Sequence, residues 1–125
     1  MKIDLPSEWP LGIKFECSSE GYVFAQVSAE DPPSPLHHGN LVRILEAWDT
    51  IWAVFRKTVP ALMERCCQDP PDWGRIERLW MELPDGPLDE GCEWGFGVEF
   101  EAAPTVWYLP FYGLEPSVDE AVASW

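Results

Sequence analysis

The feature that most constrains this chain is the run from Ser34 to Cys67, SPLHHGNLVRILEAWDTIWAVFRKTVPALMERCC. Leu41, Ile44, Leu45, Trp48, Trp52, Phe55, Val59, Leu62, Met63 and Cys66 recur at steps of three and four, the spacing of one helix face. Ala47, Ile51 and Val54 widen that stripe, whereas Arg43, Glu46, Thr50 and Lys57 fall on the other side. A stripe this wide, with two Trp and a Phe, belongs to a helix laid across a core rather than to one skimming the surface. Unbroken, it would span about 45 Å at roughly 1.5 Å per residue. Pro60 lacks a backbone donor and its ring presses on the preceding turn, so the pattern predicts one long helix kinked near Thr58.

The flanking segments supply strands for that helix to lie on. Ile13, Phe15 and Cys17 alternate with Lys14 and Glu16, and Tyr22 to Val27 reads as a second strand. Ser18-Ser19-Glu20-Gly21 between them makes a hairpin turn. Ala29 to Pro35, AEDPPSP, is a stiff connection; Ser34 before Pro35 suits a helix cap and first position, with Asn40 as the competing cap. QDPPD, from Gln68 to Asp72, stops the helix. The next stretch, WGRIERLWMEL, fits both helical and strand spacing, and a strand from about Ile76 is favoured because Pro84-Asp85-Gly86-Pro87 is turn chemistry.

Trp94, Phe96, Val98 and Phe100 alternate with Gly95, Gly97, Glu99 and Glu101, the clearest strand in the chain. Its glycine face suits a neighbour's side chains lying over it. Val106 to Tyr112, VWYLPFY, is another strand, in which Pro110 points to an edge or a bulge. Ser117-Val118-Asp119-Glu120 reads as a capping box opening a short terminal helix with Val118, Ala121, Val122 and Trp125 inward. The order β-β-α-β-β-β-α predicts an α+β two-layer domain: an antiparallel sheet of about five strands on one long kinked helix, then a short C-terminal helix.

With 125 residues and 46% hydrophobic content, the chain suits a single domain over residues 1–125 and is too apolar for disorder. No apolar run approaches the roughly 18 residues of a membrane span. Asp4 and Pro6 stand where a signal peptide needs an apolar run, and Cys17, Cys66, Cys67 and Cys92 form no CxxC pair. Both observations predict reduced thiols in the cytoplasm.

Charge is the loudest compositional signal. Eight Lys and Arg face 22 Asp and Glu, a net charge of −14. Beyond Arg78 there is no Lys, Arg or His, while Glu82, Asp85, Asp89, Glu90, Glu93, Glu99, Glu101, Glu115, Asp119 and Glu120 supply ten acids. Such a field repels nucleic acid and anionic membrane and attracts a basic protein. Neither metal nor cofactor is expected: His37 and His38 are adjacent and point apart, and the cysteine spacing fits no zinc pattern. Glu99 and Glu101, with Glu93 on the same parity, could form an acid/base pair, but a solvated acidic strand face is the commoner explanation. No GxSxG, HExxH, Walker or GxGxxG element is present, so no enzyme is expected. Among the eight Trp, Trp48 and Trp52 read as core, whereas Trp9, Trp94, Trp107 and Trp125 are open between core and partner anchors or a sugar platform.

A small acidic domain rich in Trp and Tyr and without catalytic motifs resembles the immunity proteins of bacterial toxin systems. The resemblance lies in size, charge and αβ layout. It implies a cytoplasmic bacterial inhibitor, a monomer or weak homodimer, whose partner is a basic cognate toxin. Carboxylates would steer fast association and aromatic anchors would slow release. On that reading Asp85, Asp89, Glu90, Glu93, Glu99 and Glu101 form the charged surface, with Trp94, Trp107 and Tyr112 as anchors. The same composition suits a nucleic-acid mimic that inhibits a defence nuclease, and a Trp-rich face suits a small-ligand or carbohydrate module. The inhibitors call for a flat acidic patch, the module for a concave apolar pocket.

Overall fold

A computed structural model of the chain describes residues 11–16, 22–29, 34–66, 68–69, 72–101 and 103–124. The turn expected at 18–21, most of the 29–35 connection, Trp9, Cys17, Cys67 and Trp125 lie outside the described residues. The fold is α+β. Strands β1 (Leu11–Glu16) and β2 (Tyr22–Ser28) precede helices α1 (Pro35–Glu46) and α2 (Trp48–Arg65). Strands β3 (Ile76–Glu82), β4 (Glu93–Phe100), β5 (Ala103–Tyr112), β6 (Glu115–Pro116) and β7 (Val122–Ser124) follow, with 3-10 turns at Leu88–Glu90 and Val118–Glu120. The hairpin, the strand from Ile76, the glycine-faced strand and the strand through Tyr112 all form as their spacing predicts.

The sheet is mixed rather than antiparallel, and larger than expected. Its strands run in the order β1-β2-β3-β4-β5, with β6 and β7 sharing the far side of β5. β2 and β3 are parallel, Ala25 opposite Leu79, because both helices intervene and return the chain to the end from which it left. β6 pairs Phe111 and Tyr112, whereas β7 pairs Val106 to Tyr108, and Pro110 falls in the gap between them. The Pro110 carbonyl accepts from the Ser117 N–H, so the donor that proline lacks would also have pointed to this side, and the β4 ladder loses nothing. That is how a proline sits in a strand that has neighbours on both flanks.

The single long helix is two. Ala47, at φ −97° and ψ 7°, separates α1 from α2, its N–H shared between the carbonyls of Arg43 and Ile44. Neither Pro nor Gly marks this break; packing rather than propensity sets it. Pro60, the expected kink, lies inside the uninterrupted assignment of α2. Nor do the described residues form the expected C-terminal helix. Ser117 Oγ donates to the Glu120 carboxylate at 2.7 Å, which closes a single 3-10 turn. The next residues then pair with the open side of β5 as β7. A helix this short is marginal, and a free ladder of backbone groups outcompetes it. Consequently Val118 and Val122, expected inward, are exposed, whereas Ala121 is buried.

Both helices press the predicted stripe against one face of the sheet. Leu41, Ile44, Trp48, Trp52, Phe55 and Val59 meet Ala25, Val27, Leu79, Met81, Phe96, Val98, Trp107, Leu109 and Phe111, all buried. Phe96 is the hub: its ring lies 4.8 Å from that of Phe55, 5.0 Å from Trp48, 6.0 Å from Phe111 and 6.4 Å from Trp52. Among the described residues no helix is long and apolar enough to cross a membrane.

Candidate protein-binding face

With the helices on one side, the opposite face of the sheet carries no described helix, and Gln26, Arg78, Glu82, Tyr112 and Val122 on it are exposed. Register fixes which side chains share it. Gln26, Trp80, Gly97, Tyr108 and Val122 form one row; Ser28, Glu82, Gly95 and Pro110 form the next; Arg78, Glu99 and Val106 form a third. Gly95 makes room for the Tyr108 ring, and Gly97 for the neighbouring Val106. A Cβ on Gly95 would strike the Tyr108 ring and the Leu109 carbonyl, and one on Gly97 would lie 2.7 Å from Val106 Cγ1.

The Tyr108 ring ends at a hollow of about 310 Å³ that it lines with Glu82, Asp85 and Glu93. A second hollow of about 260 Å³, beside Ser28 and Ala29, shares Glu82 and Asp85. The loop carrying Asp85 is pinned from α1. His37 Nδ1 accepts from the Ser34 N–H at 3.1 Å, so the ring proton is on Nε2, which donates to Asp85 Oδ1 at 3.3 Å. Asn40 Nδ2 donates to the Gly86 carbonyl at 3.0 Å. His37 and Asn40 are therefore buried anchors of this loop, and Ser34 rather than Asn40 caps the helix. Among the described residues no cluster of His, Cys, Asp or Glu could hold a metal ion.

The electrostatics of the hollow are read at Tyr108. Burial, then the charges of Glu82 and Glu93, raise its pKa above the ordinary 10.0. Replacing Glu82 and Glu93 by Gln should bring the Tyr108 titration part of the way back, with the burial component remaining, as followed by NMR of ring-labelled tyrosine. The sign for stability follows from linkage. The folded chain keeps this proton where the unfolded chain, with its pKa near 10, has released it. The contribution of Tyr108 is thus complete below about pH 10 and lost as pH rises through the folded pKa. The Gln variants should shrink that alkaline loss.

Of the expected surface, Asp85 and Glu93 meet at the hollow, and exposed Glu90 lies on the neighbouring 3-10 turn. Asp89 is paired with Arg43 at 2.7 Å between two exposed side chains, a contact worth little. Glu99 is largely covered and held by Arg78 at 3.1 Å, while the same guanidinium stacks on Trp80 at 4.8 Å. Glu101 does not share the strand face with Glu99: a register shift follows Glu99, and Glu101 sits in the turn beyond β4. Trp94 and Trp107, 3% and 1% exposed, face the core and cannot anchor a partner in this fold. Tyr112 is exposed, and its hydroxyl donates to Glu120 at 2.8 Å. That bond chiefly raises the Tyr112 pKa, while Ser117 and then Tyr112 lower that of Glu120.

Glu82, Trp80 and Tyr108 lie on this face without being among the residues expected there. Helix and strand spacing overlap across residues 73–83, which hid the facing of the first two. The parity shared by Val106, Tyr108 and Tyr112 was the available signal for the third. Comparison of the chain with protein-family models, curated proteins and solved structures finds no match.

Proposed function

We propose that this chain is a protein-binding inhibitor, an immunity-type protein that covers the basic active site of a cognate bacterial toxin with the helix-free face of its sheet. The observation that carries the reading is the acidic hollow, where Glu82, Asp85 and Glu93 converge beside Tyr108 and no cation is among the described lining residues. Its size suits one lysine or arginine side chain of a partner, with three carboxylates standing where phosphates would. Trp80, Tyr108 and Tyr112 replace Trp94 and Trp107 as the aromatic anchors. The net charge of −14 steers a basic partner from a distance, and the desolvated aromatic contacts slow its release.

The test is capture of partners from a bacterial lysate by the tagged chain, at low and at raised salt, beside the Glu82→Lys/Glu93→Lys variant. The expected result is a stoichiometric basic protein that the wild type retains and inhibits, that raised salt releases, and that the variant leaves active. No partner at either salt, or equal inhibition by the variant, would overturn the reading. The activity of the captured protein distinguishes a toxin from a defence nuclease.

A further inference from the structure

In a chain with so many acids, most described cations are engaged. Arg43 pairs with Asp89, Arg75 with Asp72 and Arg78 with Glu99, while Arg56 lies 4.9 Å over the Trp73 ring. Lys57 and Arg65 have no such partner among the described residues, and both line one hollow of about 360 Å³ between α2 and the Val118–Glu120 turn. Its walls include Val54, Ala61 and Val118, the last 44% exposed. The Thr58 hydroxyl is committed to the Val54 carbonyl at 2.8 Å, so it adds little polarity.

The spacing shapes the seat. Lys57, Ala61 and Arg65 succeed one another at four-residue steps, so they stack along one helix face, roughly 6 Å apart per step. Ala61 leaves room between two long cationic arms, each one turn away, that can fold toward it. Two like charges exclude a cationic ligand, and the apolar walls disfavour a small hydrated anion. The volume lies at the lower end of the roughly 300–1,000 Å³ of small-molecule sites. Asp119, at the turn side of the groove, sets the end from which an anionic head is kept away.

We propose that this groove binds a medium-chain carboxylate, its head between Lys57 and Arg65 over Ala61 and its hydrocarbon tail along Val54 and Val118. The site lies on the helical layer and shares no residue with the acidic hollow, so it stands or falls independently of the inhibitor reading.

The probe is decanoate, titrated below its micelle concentration into methyl-labelled protein and followed by NMR. Saturable shifts of the Val54, Ala61 and Val118 methyls are expected. Lys57→Gln/Arg65→Gln should weaken binding about tenfold or more. Ala61→Leu, which keeps both cations but fills the seat, should weaken it comparably; all three positions are exposed on α2, so the variants should fold. Decyltrimethylammonium should not compete. Absence of saturable shifts, wild-type affinity in either variant, or equal competition by the cationic amphiphile would overturn the proposal. So would displacement by hexaglutamate at the affinity of decanoate, since the groove would then read charge alone, as for an acidic peptide.

Discussion

Phe96→Ala should remove about 4 kcal/mol of folding stability, measured by urea denaturation of the purified chain. Phe96 is fully buried at the centre of the sheet, where rings from both layers converge: Trp48, Trp52 and Phe55 from α2, Trp94 and Phe111 from its own and the adjoining strand. Truncation forfeits transfer energy and leaves a cavity walled by rigid aromatic groups, which collapse poorly into it. Against a usual total of about 5–15 kcal/mol, that loss removes a quarter or more of the stability. Phe96→Leu, which keeps most of the volume, should cost about 1–1.5 kcal/mol. A loss below about 1.5 kcal/mol for Ala would show that the ring cluster is not the centre of the core.

Gly95→Ala should cost about 1–3 kcal/mol although it adds a single methyl. The added Cβ would sit 2.5 Å from Tyr108 Cζ and 2.7 Å from the Leu109 carbonyl oxygen. The tyrosine could swing aside, but the carbonyl belongs to the paired strand and moves only with it. The same substitution at Gly39, on α1 with nothing within 4 Å of the new atom, should stabilise by about 0.5–1 kcal/mol through helix propensity. The contrast separates close approach from the general cost of glycine in a regular element. Ring signals of Tyr108 should shift in Gly95→Ala and stay put in Gly39→Ala; unchanged stability at Gly95 would mean that β5 does not lie this close.

Much of the architecture was legible because it rests on local periodicity. The helical stripe, the alternation in β4 and the turn at Pro84–Pro87 each announce themselves within a few residues. What escaped depends on distant partners. Nothing near Ala47 breaks a helix, and a Ser-x-x-Glu box reads as a helix start until an unpaired flank of β5 takes up the residues after it. The site was legible in charge and not in facing. The acids at 85 and 93 could be chosen from the cation-free stretch, but strand parity alone does not say which face the helices cover. That choice put Trp94 and Trp107 inside and left Trp80 and Tyr108 on the open side.

The parallel ladder between β2 and β3 also bears on the order of synthesis. A ribosome delivers the β1–β2 hairpin before the strand that will hold it, and a lone two-stranded hairpin is marginal in water. That seam closes a loop containing both helices, whereas β3 and β4 join across residues 83–92 alone and β4 and β5 across residues 101–102. Closure entropy grows with loop length, and non-local pairing is slow. The acidic C-terminal meander therefore assembles first and the earliest-made strands dock last, which pulse-labelled hydrogen exchange would register as protection in β4 ahead of β2.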